Sequence, residues 1–418
     1  MTASHEAGML SPYRVLDLTD ARGLLSGKIL ADLGADVIQV EPPEGHDARR
    51  IGPFYKDVVN ADNSLYWWAY AANKRSITLD IRKKDGQALL KRLVKSADFL
   101  FESDAPGTLS ALGLGYDELA TINPALIYLS ITPFGQDGPY ADYKATDLIG
   151  MAISGFMYLT GDPDRPPVRV GHPHFYLHGA GAGATGAMIA HAHRVLTGQG
   201  QYVDVSCQEA LTRALANAPQ SYVLEQSVIK RQGSYRQTGK DSFMRITWEC
   251  QDGYVNFQLS GGQGSGSGVN NLVKWMAEEG VGDAYLESLD FTTLGYGTIT
   301  SEMLERVVPP VERFLHSHTK QELFEGAVAR RILMFPVATP HDIVNDTQLA
   351  ARNYFQTVTL PDHGQDATFL GPIIRSSEQP LKIRLLPPKV GQHNHEIFVD
   401  ELGLAPQALS QLRRLGVI

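Results

Sequence analysis

Two strand–helix–strand units near the start of the chain restrict its fold more than any other feature. Val15-Leu16-Asp17-Leu18 is a short apolar strand. Leu24, Leu25, Ile29, Leu30 and Leu33 then recur at helical spacing, Gly34-Ala35-Asp36 closes that helix, and Val37-Ile38-Gln39-Val40 is the next strand. A second unit runs from Ile77-Thr78-Leu79 through a helix over 85–96 to Asp98-Phe99-Leu100-Phe101, and Leu126–Ser130 is a further buried strand. Strands alternating with helices predict an α/β fold with an open, largely parallel sheet.

Beyond about residue 225 the pattern changes. A Gly/Ser run, SGGQGSGSG (260–268), separates the strand Tyr254–Leu259 from a helix near 270–279, and further helices are expected over 301–317 and 319–329. This reads as a smaller α+β lobe. A chain of 418 residues is longer than one compact core usually holds, so two lobes are expected.

Composition narrows the function. With 37 basic and 46 acidic residues the formal charge is −9, which speaks against nucleic acid but leaves room for an anionic ligand in a local basic pocket. Cys207 and Cys250 make no disulfide framework, and a reducing, cytoplasmic setting is expected. The first residues lack the charged and apolar regions of a signal peptide. The apolar stretch around 179–192 is too polar and too short to span a membrane.

Five segments in order, with two more near the C-terminus, carry a family resemblance. They are VLDLT…LADLGADVIQVEPP (15–43), NKRSITLDIRKKDG (73–86), PGTLSALGL (106–114), IYLSITPFGQDGPY…ATD (127–147), TGQGQYVDVS (197–206) and the C-terminal FPVATPHDIVNDTQLAARNYF and PPKVGQHNHEIFVDELGL. Together they resemble the class III CoA-transferases, the CaiB/BaiF or formyl-CoA transferase-like family. The resemblance implies a large Rossmann-like domain built from both chain ends, a small α+β domain, and two protomers interlocked like chain links. The expected division is 1–224 for the first part of the large domain, 225–330 for the small domain with its glycine loop, and 331–418 for the return to the large domain.

In that family an aspartate within a G-x-x-x-x-D pattern attacks the thioester. Aligned on TGQGQ and on Gly171, this chain has Tyr176 at that place, and no aspartate occurs between Asp164 and Asp204. A phenol cannot form the acyl intermediates a carboxylate forms. The aspartate–histidine pair of the related racemases matches Tyr176 and Thr146, so α-proton exchange is disfavoured. Glu209 and Asp204 lie where the family has no catalytic group. His172, His174 and His178 have the residue type of zinc ligands but no fourth partner, and hydrogen-bonded loop histidines are the commoner case.

For CoA, the resemblance points to Arg22 in the first βα turn, to Lys74 and Arg75, and to the segment Glu102–Gly113. That segment has Asp104 where the family has an aromatic and Ala111 where it often has arginine. A carboxylate beside a pyrophosphate repels it by roughly 1–4 kcal/mol. The plain alternative for Lys74 and Arg75 is surface charge ahead of a strand. Gly261 and Gly262 resemble the family's mobile glycine loop, against the plain reading of a surface loop.

The expected function is therefore a non-catalytic or scaffold subunit of a heteromeric class III acyl-CoA:carboxylate CoA-transferase, inactive alone. Its partner would be a homologous, aspartate-bearing subunit. Its substrates would be a CoA thioester and a small carboxylic acid, with no permanently bound cofactor and no metal. Two-subunit enzymes such as succinyl-CoA:benzylsuccinate CoA-transferase show this division. The alternatives are a self-sufficient CoA-ester enzyme of altered chemistry (isomerase, lyase or hydrolase) and an ordinary homodimeric transferase.

Overall fold

The computed structural model describes residues 8–237, 243–295 and 299–418. These cluster into two compact units: residues up to Ser154 with His172–Ala214 and Asp346–Ile418, and Gly155–Gly171 with Leu215–Asn345. The short segment 155–171 belongs to the second unit, a partition that the sequence-based boundaries at 225 and 330 do not contain.

The first unit is laid down by β1 (Arg14–Asp17), α1 (Leu24–Asp32), β2 (Asp36–Glu41), α2 (Leu65–Ala71), β3 (Lys74–Thr78), α3 (Lys84–Val94), β4 (Phe99–Glu102), α4 (Thr108–Ala111), α5 (Tyr116–Ile122), β5 (Ile127–Thr132), α6 (Asp147–Ile153), α7 (Phe175–Thr197), β6 (Tyr202–Ser206) and α8 (Cys207–Arg213). Six strands form one sheet in the order β3-β2-β1-β4-β5-β6, and every neighbouring pair is parallel. β3, β4 and β5 are buried along their whole length, as expected where helices cover both faces. One face packs Leu89, Leu90 and Leu93 of α3, Leu119 of α5 and the C-terminal Ile397, Phe398 and Ile418 against Leu16, Ile38 and Leu100.

The other face carries α7, and glycines set how closely it lies. A Cβ at Gly179 would come within 2.3 Å of Cys207 Sγ, and one at Gly183 within 3.0 Å of Ile131 Cδ1. The turn that follows is equally tight: a Cβ at Gly200 would meet the Leu126 carbonyl oxygen at 2.0 Å. Backbone of the helix and of the turn thus rests directly on the sheet side chains and the preceding loop.

The chain leaves this unit for the second and returns. The second unit holds α9 (Ala218–Glu225), β7 (Tyr235–Gln237), β8 (Phe243–Arg245), β9 (Thr247–Cys250), β10 (Gly253–Phe257), α10 (Gly266–Glu278), α11 (Ala284–Glu287), α12 (Ser301–His316), α13 (Lys320–Arg330), β11 (Met334–Pro336) and α14 (Pro340–Val344). β9, β10 and β11 make an antiparallel sheet, and Trp248, Phe257, Trp275, Phe291 and Phe314 fill its core. After α15 (Thr347–Ala351) the first unit regains the hairpin β12 (Phe355–Leu360) and β13 (Gln365–Leu370), a strap over 384–394, and α16 (Pro406–Arg414). Arg49 Nη2 and Trp67 Nε1 both donate to the Pro388 carbonyl oxygen, at 2.9 and 3.1 Å, which fastens the strap. Among the described residues no helix is long and apolar enough to cross a membrane.

Candidate active site

The strand order reverses between β1 and β4. In an open parallel sheet the loops leaving those strands diverge there, and the crevice between them is where ligands settle. Three segments meet at it: Leu18–Gly23 after β1, Ser103–Gly107 after β4, and the first turn of α7.

Arg22 organises the crevice. Its Nε donates to both oxygens of Asp20 at 2.7 and 2.9 Å, and its Nη2 donates to the Ser103 carbonyl oxygen at 2.6 Å. Ser103 Oγ in turn accepts from the Asp20 amide at 2.9 Å. Burial alone would weaken the guanidinium's charge, but Asp20 overrides it, and Arg22 is held more firmly protonated than in water. Its guanidinium carbon lies 5.9 Å from the Tyr176 ring centroid.

Tyr176 sits one residue inside α7. Its hydroxyl donates to the Ala145 carbonyl oxygen at 2.6 Å, and Asp147 Oδ1 accepts from the neighbouring Phe175 amide at 3.0 Å. Burial pushes the phenol up to about 12, only partly offset by Arg22, so it is protonated at neutral pH. The Cys207 thiol is pushed up to about 12 by burial as well, which leaves it a poor nucleophile.

The other cations expected at a phosphate site are turned inward. Lys74 is fully buried, and its ammonium has Asp17 Oδ2 at 2.8 Å, the Leu24 carbonyl at 3.0 Å and Gln39 Oε1 at 3.0 Å, one acceptor for each proton. Arg75 donates to Asp36 at 2.6 and 2.8 Å, to Glu396 at 2.7 Å and to Glu401 at 2.6 Å. The expectation that both reach a ligand, and the plain alternative of surface charge, give way to the same finding: these are strand residues whose charges are matched inside the first unit. Of the expected binding residues there, Arg22 alone stands at the crevice.

Gly261 and Gly262 belong to the second unit, in the lead into α10. Gly262 has φ of +101° and donates its amide to the Phe291 carbonyl at 3.0 Å, while a Cβ at Gly261 would meet the Leu294 carbonyl oxygen at 2.6 Å. The run is thus seated against 291–294. His174 and His178 lie on the first turn of α7 with ring centroids 5.8 Å apart, and no group of three metal-ligating side chains occurs among the described residues.

Sequence reasoning missed Asp20 and Ser103 as the partners of Arg22, and it named Glu102 only as the first residue of the segment expected at CoA. Glu102 ends β4, and burial pushes its carboxyl up to about 7 against the opposing hydrogen bonds of Ser130 and the Asp104 amide. Asp104 is raised too, by burial and by Asp20. The Asp-x-Arg spacing in the first βα turn could have flagged the Asp20–Arg22 pair. No pattern flags a carboxyl whose burial depends on three distant strands.

A doubly wound parallel sheet with a crevice at its switch point is a ligand-binding framework shared by many enzyme classes, and comparison with known proteins supplies the class. The family model described as CoA-transferase family III matches residues 10–394, and the chain belongs to that family. It is 35% identical to the succinyl-CoA:(R)-benzylsuccinate CoA-transferase subunit BbsE of Thauera aromatica, over 98% of both chains. It is 32% identical to succinyl-CoA–D-citramalate CoA-transferase of Chloroflexus aurantiacus over the full length of both, and 30% identical to the beta subunit of that organism's succinyl-CoA–L-malate CoA-transferase over 98% of both. A CAIB/BAIF family protein from Brucella suis has the same fold, with a TM-score of 0.79 and 30% identity over 93% of this chain and 98% of that one.

Proposed function

We infer that this chain is the subunit of a heteromeric acyl-CoA:carboxylate CoA-transferase that does not supply the attacking carboxylate. The observation that carries the reading is Tyr176 itself. It is a protonated phenol tied to Ala145 at the head of α7, with no aspartate or glutamate between Asp164 and Asp204. A homologous subunit bearing an aspartate there would attack the thioester carbonyl and expel the CoA thiolate, leaving an acyl–aspartyl anhydride. The thiolate would then attack the aspartyl carbonyl and release the donor acid, and the acceptor carboxylate would run the same two exchanges in reverse to leave with CoA and free the aspartate. This chain would supply the other half of an interlocked pair, with its large domain built from both chain ends. Three of the relatives described above are named for succinyl-CoA, which supports it as donor, and the BbsE relative supports benzylsuccinate as acceptor. Arg22 is the guanidinium we assign to the phosphate end of CoA, in exchange for Asp20, and Gly261 and Gly262 are assigned to the covering loop.

The test is co-expression with an aspartate-bearing homologue, followed by native mass spectrometry and a succinyl-CoA-dependent transfer assay. The expected result is an active heteromer, an inactive isolated chain, and no hydroxylamine-sensitive CoA adduct on this polypeptide. A fully active homodimer, or a CoA thioester on one of its own acidic residues, would overturn the reading.

A further inference from the structure

A residue turns on two soft dihedrals, so holding the peptide planes on both sides of Asp20 fixes the direction in which its side chain leaves the backbone. Four contacts do this. On the plane before it, the Thr19 carbonyl oxygen accepts from His46 Nε2 at 2.8 Å and from Gln39 Nε2 at 3.2 Å, and the Asp20 amide donates to Ser103 Oγ at 2.9 Å. On the plane after it, the Ala21 amide donates to Asp47 Oδ1 at 3.1 Å. The Asp20 carboxylate, so aimed, holds Arg22.

His46 is buried in the segment that follows β2, and both its ring nitrogens face oxygens. Nε2 meets a carbonyl, which can only accept, so Nε2 carries a proton. Nδ1 lies 2.9 Å from Asp47 Oδ1. A neutral imidazole has one N–H, whereas the imidazolium has two and satisfies both oxygens. The Ala48 amide lies 3.0 Å from Nδ1 and 2.9 Å from Asp47 Oδ1, so it can serve the neutral ring in one state and the carboxylate in the other.

We propose that His46 and Asp47 are positioning residues, an imidazolium–carboxylate clamp behind the loop after β1 that sets the place of Arg22 and loosens when the ring gives up its Nδ1 proton. Its consequence for CoA rests on the reading of Arg22 as the phosphate contact. The other charged groups around the ring are matched elsewhere. Glu41 on β2 accepts from the His46 amide and from Arg49, Asp17 on β1 holds Lys74, and Asp20 is turned to Arg22. From α2 come the Trp67 ring, with centroids 5.4 Å apart, and the Tyr66 hydroxyl, 3.4 Å from the Ala21 carbonyl oxygen. Burial opposes the charge on the ring, but the Asp47 carboxylate and the Thr19 carbonyl outweigh it, and His46 titrates above the ordinary 6.5. The clamp is therefore complete below 6.5 and is lost as pH rises through the raised value.

The experiment is hydrogen exchange by mass spectrometry on the ligand-free full chain, in the assembly in which it purifies, from slightly acid to alkaline pH with intrinsic rates corrected, together with CoA affinity by calorimetry. Protection of residues 18–23 should fall as pH rises through the His46 value. Asp47→Asn, at a half-exposed side chain, keeps an acceptor for the Ala21 amide but removes the countercharge, and should move that fall to lower pH. His46→Gln should show the loosened loop at every pH. CoA affinity of the parent should drop several-fold about the same midpoint when referred to His46→Gln, a comparison that cancels the titration of CoA itself. Protection that is flat with pH in the parent, or a midpoint unmoved by Asp47→Asn, would overturn the clamp. A titrating, His46-dependent loop whose Arg22→Lys variant keeps full CoA affinity would remove the CoA reading of Arg22 and leave the clamp standing.

Discussion

The hydroxyl of Tyr176 donates to the carbonyl oxygen of Ala145 at 2.6 Å, across 31 residues of chain, and so pins the segment before α6 to the first turn of α7. Tyr176→Phe removes the donor and leaves that carbonyl with one partner fewer. Loss of about 0.5–1.5 kcal/mol is expected, read as a lower melting temperature. If the subunit carries no nucleophile, kcat of the assembled transferase should be unchanged in the same variant. A large fall in kcat with an unaltered melting temperature would place the phenol in the chemistry instead.

Gly27 lies under the Lys74–Asp17 ion pair. A Cβ there would fall 2.1 Å from Asp17 Oδ2 and 3.1 Å from Lys74 Nζ. Gly27→Ala should therefore break a pair that has no water to fall back on, at about 3–5 kcal/mol. Denaturant midpoints will show it. Gly181→Ala, on the same face of the first unit but with open space around its Cβ, is the control that should not lose stability.

Arg49 donates to both oxygens of Glu41, at 2.6 and 2.7 Å, with both side chains buried, and its guanidinium carbon lies 3.8 Å from the Trp67 ring centroid. Arg49→Met leaves the Glu41 carboxylate buried and uncompensated, and a loss of about 3–5 kcal/mol is expected. The double variant with Glu41→Gln should recover part of that loss. Limited proteolysis should first appear in the strap around Pro388, which Arg49 and Trp67 hold.

Glu102 gives a pH signature of definite sign. Its folded value of about 7 exceeds the ordinary 4.5, so the folded state binds the extra proton across that window. Stability from this group is full below about 4.5 and falls as pH rises to about 7, by an amount on the order of 3 kcal/mol. Glu102→Gln keeps an acceptor for the Asp104 amide but carries no charge. The melting temperatures of variant and parent should coincide in acid, with the variant higher above neutrality. A constant offset at all pH values would show that Glu102 titrates normally.

The sheet was legible because buried parallel strands leave apolar runs. The strands read at 15–18, 37–40, 98–101 and 126–130 correspond to β1, β2, β4 and β5, and the helices read at 85–96, 301–317 and 319–329 correspond to α3, α12 and α13 within a few residues. β3 reads only from Ile77, because Lys74 and Arg75 look like surface charge ahead of a strand. Their burial depends on Asp17, Asp36, Glu396 and Glu401, which sit up to 326 residues away. The same blindness hid the site. Arg22 was legible as a cation in a βα turn, but its commitment to Asp20 and Ser103 needs β1 and β4 side by side, and no local pattern encodes that adjacency.

The seating of α7 has one more consequence. What fixes this helix on the sheet is the absence of side chains at Gly179 and Gly183, with Gly200 setting the turn that follows it, not the identity of the residue at its head. The seating of the helix and the chemistry of its first turn therefore rest on different residues. A change of side chain at position 176 leaves these close approaches as they are, so the helix can keep its place on the sheet whatever group its first turn presents.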